Sequence, residues 1–265
     1  MKKLLVGLCA IFICTFAIAH SIEWYVDGSL YQTTTCDAGD NITPPTAPAK
    51  YGYHFVEWEK NYTQLEYIES TGTQYIDIGR KVRSDYTYKT KVAWTQFGAY
   101  TFMSSKENSD WKVGRYLGIP YYGITGEKAW YSRKTSNPNP STPTTVTVSV
   151  NNVYNFDWKP SSGNININGT VYNYASGSAQ TTDLFETANN MYLFAANSAG
   201  VASGFDYVKM YGWQMYDTDG TTLLMNLVPA KNSSNVVGMY DTVSETFFTN
   251  AGTGEFIAGP EAGGL

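Results

Sequence analysis

Residues Tyr62–Gly79 read YTQLEYIESTGTQYIDIG, and a second segment, Asn226–Gly259, reads NLVPAKNSSNVVGMYDTVSETFFTNAGTGEFIAG. Both set short runs of β-branched and aromatic residues between Thr, Gly and Asn clusters, the composition of strands joined by tight turns. About 150 residues separate them. They predict the opening and closing strands of one β-domain over 61–260, pairing as neighbours.

Between them the pattern is one of short strands and turns. The expected strands include Gln64–Ile68, Tyr86–Trp94, Trp111–Tyr116, Val153–Trp158, Asn164–Ile167, Thr170–Tyr174, Gly204–Met215, Thr222–Pro229, Val237–Asp241 and Thr246–Thr249. Phe205–Asp217 alternates imperfectly, which places a bulge at Gly212. Thr135–Thr144 is rich in Pro and Ser and reads as an exposed loop. The chain holds 22 Tyr, 12 Phe and 7 Trp with only 15% charged residues, which favours half-buried pleated surfaces over solvated helices.

The N-terminus reads differently. Lys2-Lys3 precedes an apolar run, Leu4–Ala19, that ends Ala17-Ile18-Ala19. A basic start, a short apolar core and a small-x-small site predict a secretory signal peptide, 1–19, cut after Ala19. The run is shorter than the ~20 residues a spanning helix needs. The expected address is therefore secreted, extracellular or at the cell surface, with the periplasm as the alternative, and no membrane insertion follows cleavage. Residues 261–265 form a Gly-rich tail.

Removing 1–19 would take two lysines and no acids from a formal charge of −5. So acidic a chain lacks the basic surface that nucleic acid requires. Only Cys36 would remain, leaving no intramolecular disulfide. It can pair between chains or serve as a small hydrophobe.

Residues 20–60 form a separate small unit. Ile22–Val26 is a strand, Asp27-Gly28 a type I′ hairpin signal, Leu30–Cys36 the returning strand, Pro44, Pro45 and Pro48 a stiff crossover, and Tyr53–Trp58 the closing strand. Trp24, Val26, Asp27, Gly28, Pro45, Pro48, Gly52, Tyr53, Phe55 and Trp58 together resemble the internalin B-type repeat, a small β-grasp-like module.

The paired segments of the larger unit resemble the ends of a concanavalin A-like (laminin G-like) jelly roll of bacterial surface and phage-associated proteins. Val153–Tyr174, VYNFDWKPSSGNININGTVYNY, resembles its hairpin of a tryptophan strand followed by an x-I-N-G strand. FDYVKMYGWQMYD resembles its late D-x-V-x-I-Y strand. The resemblance implies an all-β protein: a jelly-roll sandwich behind a small β-grasp-like module.

Chemistry is thinly signalled. Hydrolysis of glycosides needs two facing carboxylates. Glu57/Glu59 fall in the small module, and Glu66/Glu69 have the wrong strand parity. The two histidines, His20 and His54, support neither a nucleophile triad nor a zinc site. The chain is expected not to be an enzyme. Calcium at a loop rim is the one cofactor considered, with Asp217 and Asp219, and also Asp183 and Asp206, as oxygen donors; Asp217-Thr218-Asp219-Gly220 reads equally as a hairpin turn. Four N-x-S/T sequons, at Asn41, Asn61, Asn168 and Asn232, are read as incidental.

Sugar binding is the positive expectation. Sugars stack apolar ring faces on exposed aromatics, and Asn108–Arg133 gathers Trp111, Arg115, Tyr116, Tyr121, Tyr122, Trp130 and Tyr131. Half of these rings face the core if they lie on strands. The expected partner is a glycan or a host or cell-surface protein. A non-lectin adhesion module and a cryptic glycosidase are the competing readings.

Overall fold

The computed structural model describes residues 2–4, 7–9, 20–26, 29–36, 43–51, 53–55, 59–60, 62–97, 101–110, 112–120, 126–136, 143–175 and 180–262. Among them every regular element is a strand except one 3-10 turn at Pro160–Ser162. The protein is an all-β sandwich.

One large sheet forms its frame. Its spatial order is Thr170–Asn173, Asn164–Ile167, Val153–Lys159, Thr87–Trp94, Val208–Tyr216, Leu223–Asn232, Val237–Asp241 and Thr246–Thr249, each antiparallel to the next. A second sheet carries Tyr131–Arg133, Tyr116–Pro120, Thr101–Lys106, Tyr192–Leu193 and Ile76–Asp77, with Ala196–Ser198 parallel to Thr101–Lys106. The two pack face to face: Trp94 of the large sheet meets Phe102 of the second edge-on at 5.5 Å between ring centroids, and Phe102 meets Phe156 at 5.6 Å.

Alternation explains which residues fill the space between. Tyr88, Val92 and Trp94, Phe156 and Trp158, Ile165 and Ile167, Met210, Trp213 and Met215 all join one buried cluster with Leu117, Ile119, Leu193 and Trp130. Burying a side chain of this size is worth about 1.5–3 kcal/mol, so this cluster holds the fold. An ion pair lies within the core: Lys128 Nζ sits 3.1 Å from Asp206 Oδ2, with both side chains almost fully buried. Trp94 Nε1 donates to the same oxygen at 2.9 Å, and the Tyr207 amide donates to Oδ1 at 3.0 Å. Burial pulls the Lys128 pKa down, opposed by Asp206.

The opening and closing segments do meet. Tyr62–Gln64 pairs with Leu223–Asn232, and Ile68–Glu69 pairs with both Val208–Tyr216 and Ile257–Ala258. Their loops interlock: the Ala251 amide donates to Tyr75 O at 2.9 Å, and Asn250 Oδ1 accepts from the Tyr75 amide at 3.1 Å. Gln74, almost fully buried, accepts from the Thr71 amide at 2.8 Å and donates to Glu255 O at 2.9 Å. At Gly252 a Cβ would collide with the Thr73 carbonyl, so only glycine permits this approach.

Three strand expectations shift. Gln64–Ile68 is not one strand, because the chain bends at Glu66 and changes partner between Gln64 and Ile68. The segment before Tyr116 is a turn, Val113 N donating to Asp110 O and Asp110 Oδ1 accepting from Lys112 N, so the strand there runs Tyr116–Pro120. Gly204–Met215 begins later, at Val208. The bulge falls where expected: Lys91 faces Gly212 and Val92 faces Met210, leaving Tyr211 as the extra residue.

In the small unit His20–Val26 and Ser29–Cys36 form the expected hairpin, with Trp24 and Ile22 buried and Trp24 Nε1 donating to Thr34 Oγ1 at 2.9 Å. Asp27-Gly28, Gly52 and Trp58 lie outside the described residues. Segments of the expected leader pair with this unit in the uncut chain: Lys2–Leu4 runs parallel to Tyr53–Phe55, and Gly7–Cys9 lies between His20–Val26 and Glu59–Lys60. No helix among the described residues is long and apolar enough to cross a membrane.

Candidate functional site

A concave feature lies on the outer face of the large sheet. It is a trough of about 430 Å³ spanning five adjacent strands. Its construction follows from alternation: every residue that turns Tyr88, Phe156, Trp158, Ile165 or Trp213 inward turns a polar neighbour outward. Asn166 stands opposite Asp157, Asp157 opposite Lys89, Lys89 opposite Gln214, and Gln214 opposite Asn226. Five polar side chains thus form one row across five strands, about 19 Å at the ordinary inter-strand spacing.

The row is hydrogen-bonded along itself. Lys89 Nζ lies 3.2 Å from Asp157 Oδ2, Gln214 Nε2 donates to Asn226 Oδ1 at 3.1 Å, and Tyr216 OH donates to Gln214 Oε1 at 3.1 Å. Such mutual fixing holds the side chains in place. The next row carries Asn155 opposite Lys91, and Lys91 opposite Gly212. Here the bulge brings Tyr211 to the trough wall, with Lys91 Nζ 5.0 Å from its ring centroid. Tyr67 packs against Tyr211 at 5.3 Å between centroids. Burial raises the Tyr211 phenol pKa, with Tyr67, Glu66 and Glu69 adding to the effect and Lys209 opposing it. At one end Asn168 and Gly169 close a turn, Asn168 Oδ1 accepting from the Asn155 amide at 2.8 Å.

The residues expected to bind lie elsewhere. Trp111, Tyr121 and Tyr122 are outside the described residues. Tyr116, Trp130 and Tyr131 are 3%, 0% and 4% exposed, so these three rings form no open stacking platform, a correction to the expected exposed patch. Trp130 belongs to the main core and meets Tyr172 at 5.9 Å. Tyr116 and Tyr131 do come together, stacked at 5.2 Å and 9°, on the side of the second sheet turned away from that core. The Arg133 guanidinium lies over Tyr116 at 5.8 Å, and burial pushes the Tyr116 phenol well above its ordinary pKa. Arg115 is held by Glu107, its amide donating to Glu107 Oε2 at 2.8 Å and its Nε lying 3.3 Å from the same oxygen.

Three of the calcium candidates, Asp206, Asp217 and Asp219, have their carboxylates engaged in structure. Asp219 Oδ1 accepts from the Thr221 and Thr222 amides, both at 2.8 Å, and Oδ2 accepts from Thr222 Oγ1 at 2.6 Å, bonds that depress its pKa. Asp217 accepts from the Thr218 amide at 2.6 Å in the same turn. Asp206 is the buried partner of Lys128, and the Asp183 carbonyl accepts from Ser84 Oγ. Among the described residues no three His, Cys, Asp or Glu side chains converge on a point.

The trough residues had a signal in the sequence. Asn155-Phe156-Asp157-Trp158 and Asn164-Ile165-Asn166-Ile167 alternate cleanly, and their outward halves are the binding-type residues. No family model matches the chain, and no curated protein matches it. Comparison with solved structures finds a protein of Bacteroides ovatus ATCC 8483, described there as a proposed carbohydrate-binding protein; it is 10% identical with a TM-score of 0.46, over 95% of this chain and 71% of that one. A likeness that distant assigns neither family nor ligand.

Proposed function

We propose that the chain is a non-catalytic binding protein that takes a glycan along the trough of the large sheet. One observation carries this reading. The row Asn166, Asp157, Lys89 and Gln214, held from behind by the buried Asn226, offers donors and acceptors at strand spacing, beside the tyrosine ring at the bulge. Sugars present that combination in reverse, hydroxyls around a ring with apolar faces. Amide side chains both donate and accept, so they can read hydroxyls in either sense. The jelly-roll resemblance of Val153–Tyr174 agrees with such a surface.

Binding rather than hydrolysis is favoured by the carboxylates. Asp157 is the one acidic side chain among the described residues lining the trough, and it is matched by Lys89. Two-carboxylate hydrolysis needs a second within about 5–9.5 Å. A glycan array probed with the full chain tests the reading. Specific binding that weakens on Gln214→Ala and Tyr211→Ala supports it. A blank array, with a cell-surface protein recovered instead, replaces it with protein adhesion, and sugar release from a polysaccharide overturns the non-catalytic assignment.

Export through a cleaved leader is part of the same proposal. N-terminal sequencing of the protein made by its natural host would begin at His20. A Met1 start would instead keep the strand pairing of residues 2–4 and 7–9 in the working molecule.

A further inference from the structure

The charge of the trough runs against the charge of the chain. The protein carries −5 overall, yet the described residues lining the trough include two lysines, Lys89 and Lys91, and one carboxylate, Asp157. Asp157 is matched to Lys89 at 3.2 Å. Lys91 is exposed and makes no ion pair among the described residues. Its ammonium lies instead over the Tyr211 ring. Of the nearby acids, Glu69 is matched by Lys209 at 3.8 Å, and Glu66 is exposed on the bend after Tyr62–Gln64. Among the described residues that line the trough, Lys91 is thus the cation without an ion-pair partner, directly beside the aromatic wall.

From this juxtaposition we infer that the ligand is an anionic glycan, a chain bearing uronate carboxylates or sulfate esters. Its negative group meets Lys91 and its sugar face meets Tyr211. The inference rests on reading the trough as the glycan site and names the class of glycan that fits it. The lysine keeps its three donors while its ammonium lies over the ring, so an arriving anion gains a charge-assisted hydrogen bond without displacing a carboxylate partner. A neutral glycan would leave that cation without a counter-charge. Because the site is open to solvent, the preference is sensitive to salt.

Matched pairs of polysaccharides separate the chemistry from the backbone: polygalacturonate against its methyl ester, and dextran sulfate against dextran. Titrated against the full chain at low salt, the anionic member of at least one pair is expected to bind about tenfold more tightly, the worth of one hydrogen bond to a charged group. The gap should narrow at 0.5 M salt. Lys91→Gln should remove most of it while leaving thermal unfolding unchanged. Preference confined to polygalacturonate assigns uronate; preference confined to dextran sulfate assigns sulfate. Equal binding within both pairs, or a preference untouched by Lys91→Gln, overturns the anionic assignment and leaves the trough reading standing. If none of the four binds and the array is blank, the trough reading falls as well.

Discussion

The two sheets treat their outer sides in opposite ways. Beyond the large sheet lie Asn, Asp, Lys and Gln in an open trough, with one tyrosine raised at a bulge. Beyond the second sheet lie Tyr116, Tyr131 and Arg133, stacked and almost wholly covered. The stacked pair that the sequence marked for binding lies on the closed side. An aromatic ring marks a binding surface only when its far side is uncovered, and alternation along a strand does not say whether anything covers it. The plain polar positions Asn166, Asp157, Lys89 and Gln214 are the accessible ones here.

Substitutions in the core and in the trough should therefore separate stability from binding. Trp130→Ala, in the core against the second sheet, is expected to cost about 3–5 kcal/mol of stability by denaturant unfolding, since it leaves a large cavity. Glycan affinity of the molecules still folded should be unchanged; a parallel loss of affinity would show that the core and the trough are coupled. Tyr211→Ala should do the reverse, lowering affinity about tenfold in calorimetric titration by removing an aromatic contact, with little change in unfolding. Gln214→Ala, which removes one link of the polar row, should weaken binding about three- to tenfold, the value of a single hydrogen bond.

The smallest effect belongs to Glu107→Gln. The Arg115 amide and guanidinium hold the Glu107 carboxyl below its ordinary pKa. A depressed carboxylate adds stability above the unfolded-state pKa and loses it as pH falls through the folded value. Unfolding followed from neutral pH down through the carboxylate range should be slightly flatter in the variant. The pair is about a third exposed, so solvent screening keeps its worth within a few tenths of a kcal/mol. A marked loss of glycan binding in Glu107→Gln would place Arg115 back among the ligand contacts.

Much of the frame was legible in the sequence. The paired segments, the alternation of Val153–Lys159 with Asn164–Ile167 and the bulge at Gly212 are local patterns, and local patterns survive in a single chain. The site was less so. Lys89, Asp157 and Gln214 lie far apart along the chain, and only cross-strand register brings them into a row. The strand expected at Trp111–Tyr116 failed for a related reason: Asp110 closes a turn through its side chain, and Gly114 at φ 72° follows. Burial of Tyr116 and Tyr131 depends on packing over that side of the second sheet, which no spacing along the chain records.

The interlocked ends have a mechanical side. Gln64 O accepts from the Ala262 amide at 3.0 Å, and Leu65 bridges Glu261 in antiparallel sense. The large domain is thus entered and left through neighbouring strands. Tension applied across residues 62 and 262 would part these bonds one after another, as a zipper opens, instead of loading them together in shear. The same closeness lets a short linker join the two ends, so the chain could be cut anew at an exposed turn such as Asn168-Gly169 and still complete the sandwich.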